Sequence, residues 1–144
     1  MEVAVIGLGK MGAQIAEKLS NNDFKVYCYD VNKNVSINAD SNIVITKSIK
    51  DLVSKFNGKK IIWLMLPSGS VTNNTIKELK NLLDSDDIII DGGNSFYKDS
   101  KENFINCKKK NIHFIDCGTS GGIWGLKNGS VSYTHLTLPT NREV

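Results

Sequence analysis

The residues in this chain best suited to chemistry stand in turns that follow short apolar runs. These are GLGKMG (7–12), Asp30, LPSGS (66–70), DGGNS (91–95) and GTSGG (118–122). The first sets Gly7, Gly9 and Gly12 in the G-x-G-x-x-G pattern. That spacing serves a tight turn at the first glycine, close backbone approach to a pyrophosphate at the second, and helix–strand packing at the third. A helix starting there offers N–H groups and a partial positive charge to an anion. Asp30 closes the second apolar run about 20 residues on, where a carboxylate accepts hydrogen bonds from adenosine ribose hydroxyls. Gly7, Leu8, Gly9, Lys10, Met11, Gly12 and Asp30 are therefore expected to bind a dinucleotide; the alternative is a glycine turn needed only for packing. The carboxylate favours NAD because it repels a 2′-phosphate. Lys33 reverses that preference if it reaches the phosphate as a point charge, and does nothing if it faces solvent. The expected cofactor is NAD or NADP, with NAD favoured.

The elements that must position these turns follow from hydrophobic spacing. Strands are expected over 3–8, 24–30, 43–46, 59–67, 87–93 and 112–118, and helices over 10–22, 48–56, 70–84 and 100–110. Ser48 caps the second helix. Val71, Ile76, Leu79, Leu82 and Leu83 form the inward face of the third. Residues 31–42 are turn-rich, with room for one helical turn. Strand–helix alternation with unbroken apolar strands means an α/β fold: a doubly wound, mostly parallel sheet covered on both faces. Ligands bind such sheets outside the carboxyl ends of the strands, where every glycine-rich turn named above falls.

The totals agree with one soluble globular domain. The chain has 144 residues, 40% hydrophobic and 23% charged, and a formal net charge of +3. Its longest apolar run, IIWLML (61–66), is too short to cross a bilayer, and no membrane association is expected. No aromatic residues interleave with a basic stripe, so no nucleic-acid partner is expected either. Lys108–Lys110 read as a solvated helix end. Cys28, Cys107 and Cys117 have no metal-like spacing, and none of the site residues is a metal ligand. Cys28 and Cys117 read as buried small hydrophobes in a reducing cytoplasm.

At WLMLPSGSVT (63–72), IIIDGGNSFYKDS (88–100) and FIDCGTSGGIWGLKNG (114–129), the chain resembles the 6-phosphogluconate dehydrogenase family, in particular its shorter, often NAD-using branch. The resemblance runs from Met1 to Gly129 and implies a Rossmann-like NAD(P)-binding domain over 1–129. It implies that Leu66 and Pro67 pass beside the nicotinamide ribose and that Asn94 contacts both cofactor and substrate. Ser120, Gly121 and Gly122 would hold the carboxylate end of 6-phosphogluconate. Asn supplies donor and acceptor together, and Ser-Gly-Gly exposes backbone N–H groups to an anion. Read singly, Asn94 is equally a turn residue suited to a left-handed conformation, and SGG a flexible loop. Phe96, Tyr97 and Trp124 are read as packing residues. The implied reaction is oxidation of the substrate's 3-hydroxyl by hydride transfer, then loss of CO2 to give ribulose 5-phosphate. The Lys and Glu that serve as base and acid in the family lie beyond Gly129, as does a helical second domain that completes the pocket and a homo-oligomer. No catalytic residue is expected within the chain, Asn94 being a supporting one, and the chain alone is expected to be inactive. A 3-hydroxyisobutyrate-type dehydrogenase shares the fold and the SGG but differs at DGGNS. A non-catalytic nucleotide-sensing module would leave Asn94 and Ser120 unexplained.

From Ser130 onward the composition changes. The tail holds Arg142, the single arginine among 18 basic residues, together with His135 and Pro139. Reverse translation of SYTHLTLPT resembles a sequencing-library adapter, so residues 130–144 are expected to be a non-native tail and His135 and Arg142 to carry no chemistry.

Overall fold

The computed structural model describes residues 1–38, 42–120 and 131–135, with side chains through Gly118. The chain order is β1 (Glu2–Ile6), α1 (Lys10–Asn21), β2 (Lys25–Tyr29), β3 (Ile43–Ile45), α2 (Ile49–Ser54), β4 (Ile61–Leu64), α3 (Ser70–Lys80), β5 (Ile88–Asp91), α4 (Tyr97–Lys108), β6 (His113–Ser120) and β7 (Val131–His135). The sheet order is β3-β2-β1-β4-β5-β6-β7. The first six strands pair in parallel, and β7 runs antiparallel along the outer edge of β6, from Asp116↔His135 to Ser120↔Val131. This is the doubly wound α/β architecture expected, with β1 and β4 side by side at its centre and the strand order reversing between them.

Alternation along β1 builds the two layers. Ala4 and Ile6 face a cluster that includes Leu52 of α2, Ile76 and Leu79 of α3, and Phe104 of α4. Val3 and Val5 face the opposite way, onto Ile15 and Ala16 of α1 with Val26 and Cys28 of β2. Beyond β1, the second face is more open: Ile61, Trp63, Ile88, Ile90 and Ile115 are only half-buried, whereas Ile62, Leu64, Ile89 and Phe114 on the first face are buried.

Several expected boundaries shift. β1, β4 and β5 stop before the glycine-rich turns, because those turns leave the sheet to form the loops above it. Residues 31–38 form turns without a helix. α3 ends at Lys80, and Val71 is 48% exposed instead of inward, since it sits in the first turn above the core. α4 starts at Tyr97, where Asp99 places a negative charge in the first turn. Phe96 and Tyr97 are not packing residues: they stand 57% and 65% exposed, their ring centroids 5.1 Å apart. The Ser48 cap is present, its side chain accepting the Asp51 N–H at 3.0 Å. Lys110 spans to the end of α3, donating to the Lys80 carbonyl at 3.1 Å. All three cysteines are buried and free. Burial pushes the Cys28 thiol up to about 12 and that of Cys107 up to about 11, so neither is a nucleophile near neutral pH.

At the amino end of the sheet, Tyr27 donates its O–H to Glu2 at 2.7 Å, and Asn57 donates its backbone N–H to the same carboxylate at 3.0 Å. The Tyr27 and then Asn57 bonds hold the Glu2 carboxyl below its ordinary range, while burial, then Glu2, push the Tyr27 phenol up to about 12. A depressed acid contributes stability above the ordinary carboxylate range that is lost as pH falls through the depressed value. A raised phenol contributes stability that is complete below an ordinary tyrosine value of about 10 and is lost as pH rises toward the native one. Tyr27→Phe should therefore flatten the pH dependence of the urea midpoint at both the acid and the alkaline end. Unchanged slopes at both ends would count against this pair as the source.

Candidate functional site

The exits of β2, β1, β4 and β5 stand side by side, and each delivers one of the sequence-predicted residues. At β1, the Gly7 backbone has φ +98°, a conformation that side-chain-bearing residues rarely adopt, and its N–H donates to the Tyr29 carbonyl at 2.9 Å. A Cβ on Gly7 would overlap the Met65 carbonyl oxygen, and one on Gly12 would overlap the Gly7 carbonyl oxygen. These two glycines are accounted for by internal packing. Gly9 is not: it is exposed, has φ −68°, and a Cβ there would meet nothing within 4 Å. The one glycine of the motif that the protein's own packing does not require is the one whose surroundings are open.

Gly9 is also the N-cap of α1, with no side-chain cap and no acidic residue in the first turn. The helix begins instead with the exposed Lys10, a cation at the positive end of the helix dipole. An anion above this terminus would offset both. Leu8 is buried and Met11 half-buried, so within the loop their side chains look inward while Gly9 and Lys10 look out.

Asp30 closes β2 beside the loop. Its Oδ2 accepts the Leu8 N–H at 2.6 Å and its Oδ1 the Asn32 N–H at 2.8 Å. A carboxylate has about four lone-pair positions, so two are left for hydroxyl donors. Lys33 is exposed; its Nζ lies 5.2 Å from the centroid of the Tyr29 ring and 3.5 Å from the Lys47 carbonyl oxygen.

Across the reversal point, Leu66 is half-buried and Pro67 exposed. Thr72, fully buried, donates its hydroxyl to the Pro67 carbonyl at 2.7 Å and fixes this turn at the start of α3. Next to it, Asn94 is exposed with φ +58°, the left-handed conformation open to a turn asparagine. A Cβ on Gly93 would overlap the Leu66 carbonyl oxygen, so the DGGNS and LPSGS turns are in direct contact. Ser120 is the last residue of β6, beyond the β5 pairing, while Gly121, Gly122 and Trp124 lie outside the described residues. Sequence reasoning passed over Thr72 and Asp91. Asp91 is the last residue of β5 and fully buried, and its one sequence signal was a carboxylate closing the apolar run IIID.

Residues 2–135 match the family model described as the NAD binding domain of 6-phosphogluconate dehydrogenase. The chain belongs to that family. It is an NAD(P)-binding domain of the type found in 6-phosphogluconate dehydrogenases, which are oxidoreductases. The NAD(+)-dependent, decarboxylating 6-phosphogluconate dehydrogenase of Haloferax volcanii is 35% identical over 130 residues, covering 90% of this chain and 42% of that protein. The chain thus spans under half of that relative's length. Among solved structures, Plasmodium falciparum 6-phosphogluconate dehydrogenase aligns with TM-score 0.80 at 23% identity, covering 93% of this chain and 30% of that one. Salmonella typhimurium 3-hydroxyisobutyrate dehydrogenase aligns with TM-score 0.80 at 14% identity, covering 93% and 47%. At those identities the two structures establish the fold alone. Among the described residues, no helix is long and apolar enough to cross a membrane.

The glycine geometry separates two substitutions. Gly12→Ala should lower unfolding free energy by roughly 2 kcal/mol or more through overpacking against Gly7. Gly9→Ala should stay within about 1 kcal/mol of the parent, since its backbone angles suit alanine and only the cap preference changes. Urea denaturation followed by circular dichroism reads both; equal losses would contradict the packing described.

Proposed function

We propose that the chain is the cofactor-binding portion of a 6-phosphogluconate dehydrogenase, which oxidises and decarboxylates 6-phosphogluconate to ribulose 5-phosphate. In this reading NAD is the preferred cofactor. The observation that carries the reading is the run of ordered motifs, DGGNSFYKDS and GTSGG, at the exits of β5 and β6 in a chain 35% identical to a decarboxylating enzyme of that name. The 3-hydroxyisobutyrate alternative has only a shared fold at low identity in its favour.

The residues fit a dinucleotide. The N-terminus of α1, with Gly9 and Lys10 facing outward, receives the pyrophosphate. Asp30 offers its remaining lone pairs to the ribose hydroxyls and repels a 2′-phosphate, while Lys33 rests on Tyr29. The bound cofactor supplies the hydride acceptor for the oxidation. Leu66 and Pro67 border the nicotinamide end, and Asn94 presents an amide donor and acceptor toward substrate and cofactor. Ser120, Gly121 and Gly122 take the substrate carboxylate. The proton-transferring base and acid come from sequence beyond Gly129, so this chain binds cofactor without turning over substrate. The full-length enzyme is a cytoplasmic homo-oligomer in this reading, and the three buried thiols suit a reducing compartment. The functional unit is residues 1–129; the stretch from Ser130, including the edge strand β7, adds no group to the chemistry.

Two measurements test this. Titration of the chain with NADH and NADPH should show tighter NADH binding, and Gly9→Ala should weaken it about tenfold, equivalent to about 1.4 kcal/mol. Failure to bind either nucleotide would refute the proposal. Turnover of 6-phosphogluconate by the chain alone would refute the placement of base and acid outside it. Separately, the gene at its genomic locus should diverge from SVSYTHLTLPTNREV after Gly129, and a locus encoding that same tail would overturn the non-native assignment.

A further inference from the structure

We infer that Asp91 is a positioning residue for Asn94, acting through the two residues that flank it. The inference rests on the proposed role of Asn94 in cofactor binding. Asp91 ends β5 with no exposed surface. Its Oδ1 accepts the Gly93 N–H at 3.0 Å, and its Oδ2 accepts the Ser95 hydroxyl at 2.6 Å. Gly93 and Ser95 stand on either side of Asn94, so both ends of the turn are tied to one carboxylate and Asn94 is lifted between them. A buried carboxylate demands such donors, and satisfying it closes the turn.

Two further contacts and one backbone conformation remove the freedom that two hydrogen bonds leave. The Gly92 N–H donates to the Leu64 carbonyl at 2.8 Å, which holds the start of the turn to β4. Gly93 lies flat against the Leu66 carbonyl, with no room for a Cβ. Asn94 takes φ +58°, the left-handed conformation that the turn requires of it. Among the described residues the Asn94 amide has no hydrogen-bond partner of its own, and it is exposed. Its backbone is therefore fixed while its side chain stays available. A group that must meet a ligand at a set distance and direction needs that division of labour. Asp91 itself touches no ligand, being sealed beneath the turn.

The test uses the whole chain with NADH as the probe, each variant first checked for its folded circular dichroism spectrum. Asn94→Ala is expected to weaken NADH binding about tenfold, and Ser95→Ala, which removes one of the two ties, about threefold. Asp91→Asn keeps an acceptor for Gly93 and can donate to the Ser95 oxygen, so it should recover most of the affinity lost in Asp91→Ala. In the double variant Ser95→Ala/Asn94→Ala the loss should equal that of Asn94→Ala alone, since a positioning tie has nothing left to position. A purely structural role would move stability without this non-additivity. Parent-like binding by Ser95→Ala, or losses that multiply in the double variant, would overturn the inference. If Asp91→Ala does not fold, Ser95→Ala and the double variant still decide. A parent chain that binds no NADH, or an Asn94→Ala variant that binds normally, refutes the functional reading itself and this inference with it.

Discussion

The arrangement hangs on one contact that admits no side chain. Gly12, in the first turn of α1, sits against the carbonyl of Gly7, and Gly7 sits against the carbonyl of Met65. This stack lets the helix descend onto β1 and lets β1 lie close to the exit of β4. A methyl group at either position would pry the helix from the sheet or the loop from its neighbour. Because β1 is central and buried on both faces, such a shift would be transmitted to both layers of the core. The positive φ of Gly7 is therefore best understood as the backbone conformation that this stack imposes.

Around that stack the chain repeats one device, an aspartate next to a strand end whose carboxylate gathers nearby donors. Asp30 takes the N–H groups of Leu8 and Asn32. Asp91 takes those of Gly93 and the Ser95 hydroxyl. At the opposite end of the sheet, Asp87 takes the N–H groups of Lys60 and Asp84, with the Lys60 ammonium 3.5 Å away. Each carboxylate exchanges hydration for two donors, and in return a loop acquires one conformation. The first two lie at the carboxyl ends of β2 and β5, beside the candidate site. The third joins the entry of β5 to that of β4, where it serves the fold.

Much of this could be read from the sequence because it depends on local spacing. Unbroken apolar runs identified the parallel strands, and glycines identified their exits. What escaped depends on contacts between distant segments. Val71 repeats at helical spacing with the core residues of α3, yet it lies in the first turn, where about half of it stays exposed. Phe96 and Tyr97 have the composition of packing residues, but a helix beginning at Tyr97 holds their rings together outside the core. The value of Asp91 was hidden for the opposite reason: a single acid closing an apolar run looks like the boundary of a strand. Its importance lies in which two residues it reaches, and that is set by the turn in three dimensions. Gly121 and Gly122 were legible only as motif and lie outside the described residues.

The strand order also has a consequence in time. β1 is synthesised well before β4, yet β4 is one of its two neighbours, paired through Ala4↔Ile62, Val5↔Trp63 and Ile6↔Leu64. Until that distant segment leaves the ribosome, half of the central strand's ladder has no partner. The Met65 carbonyl against which Gly7 is shaped does not yet exist. Closing so long a loop is slow and must precede the gain from the contacts it makes. The glycine loop is thus early in the sequence but late to mature, and a nascent chain carries the motif well before it carries the shape.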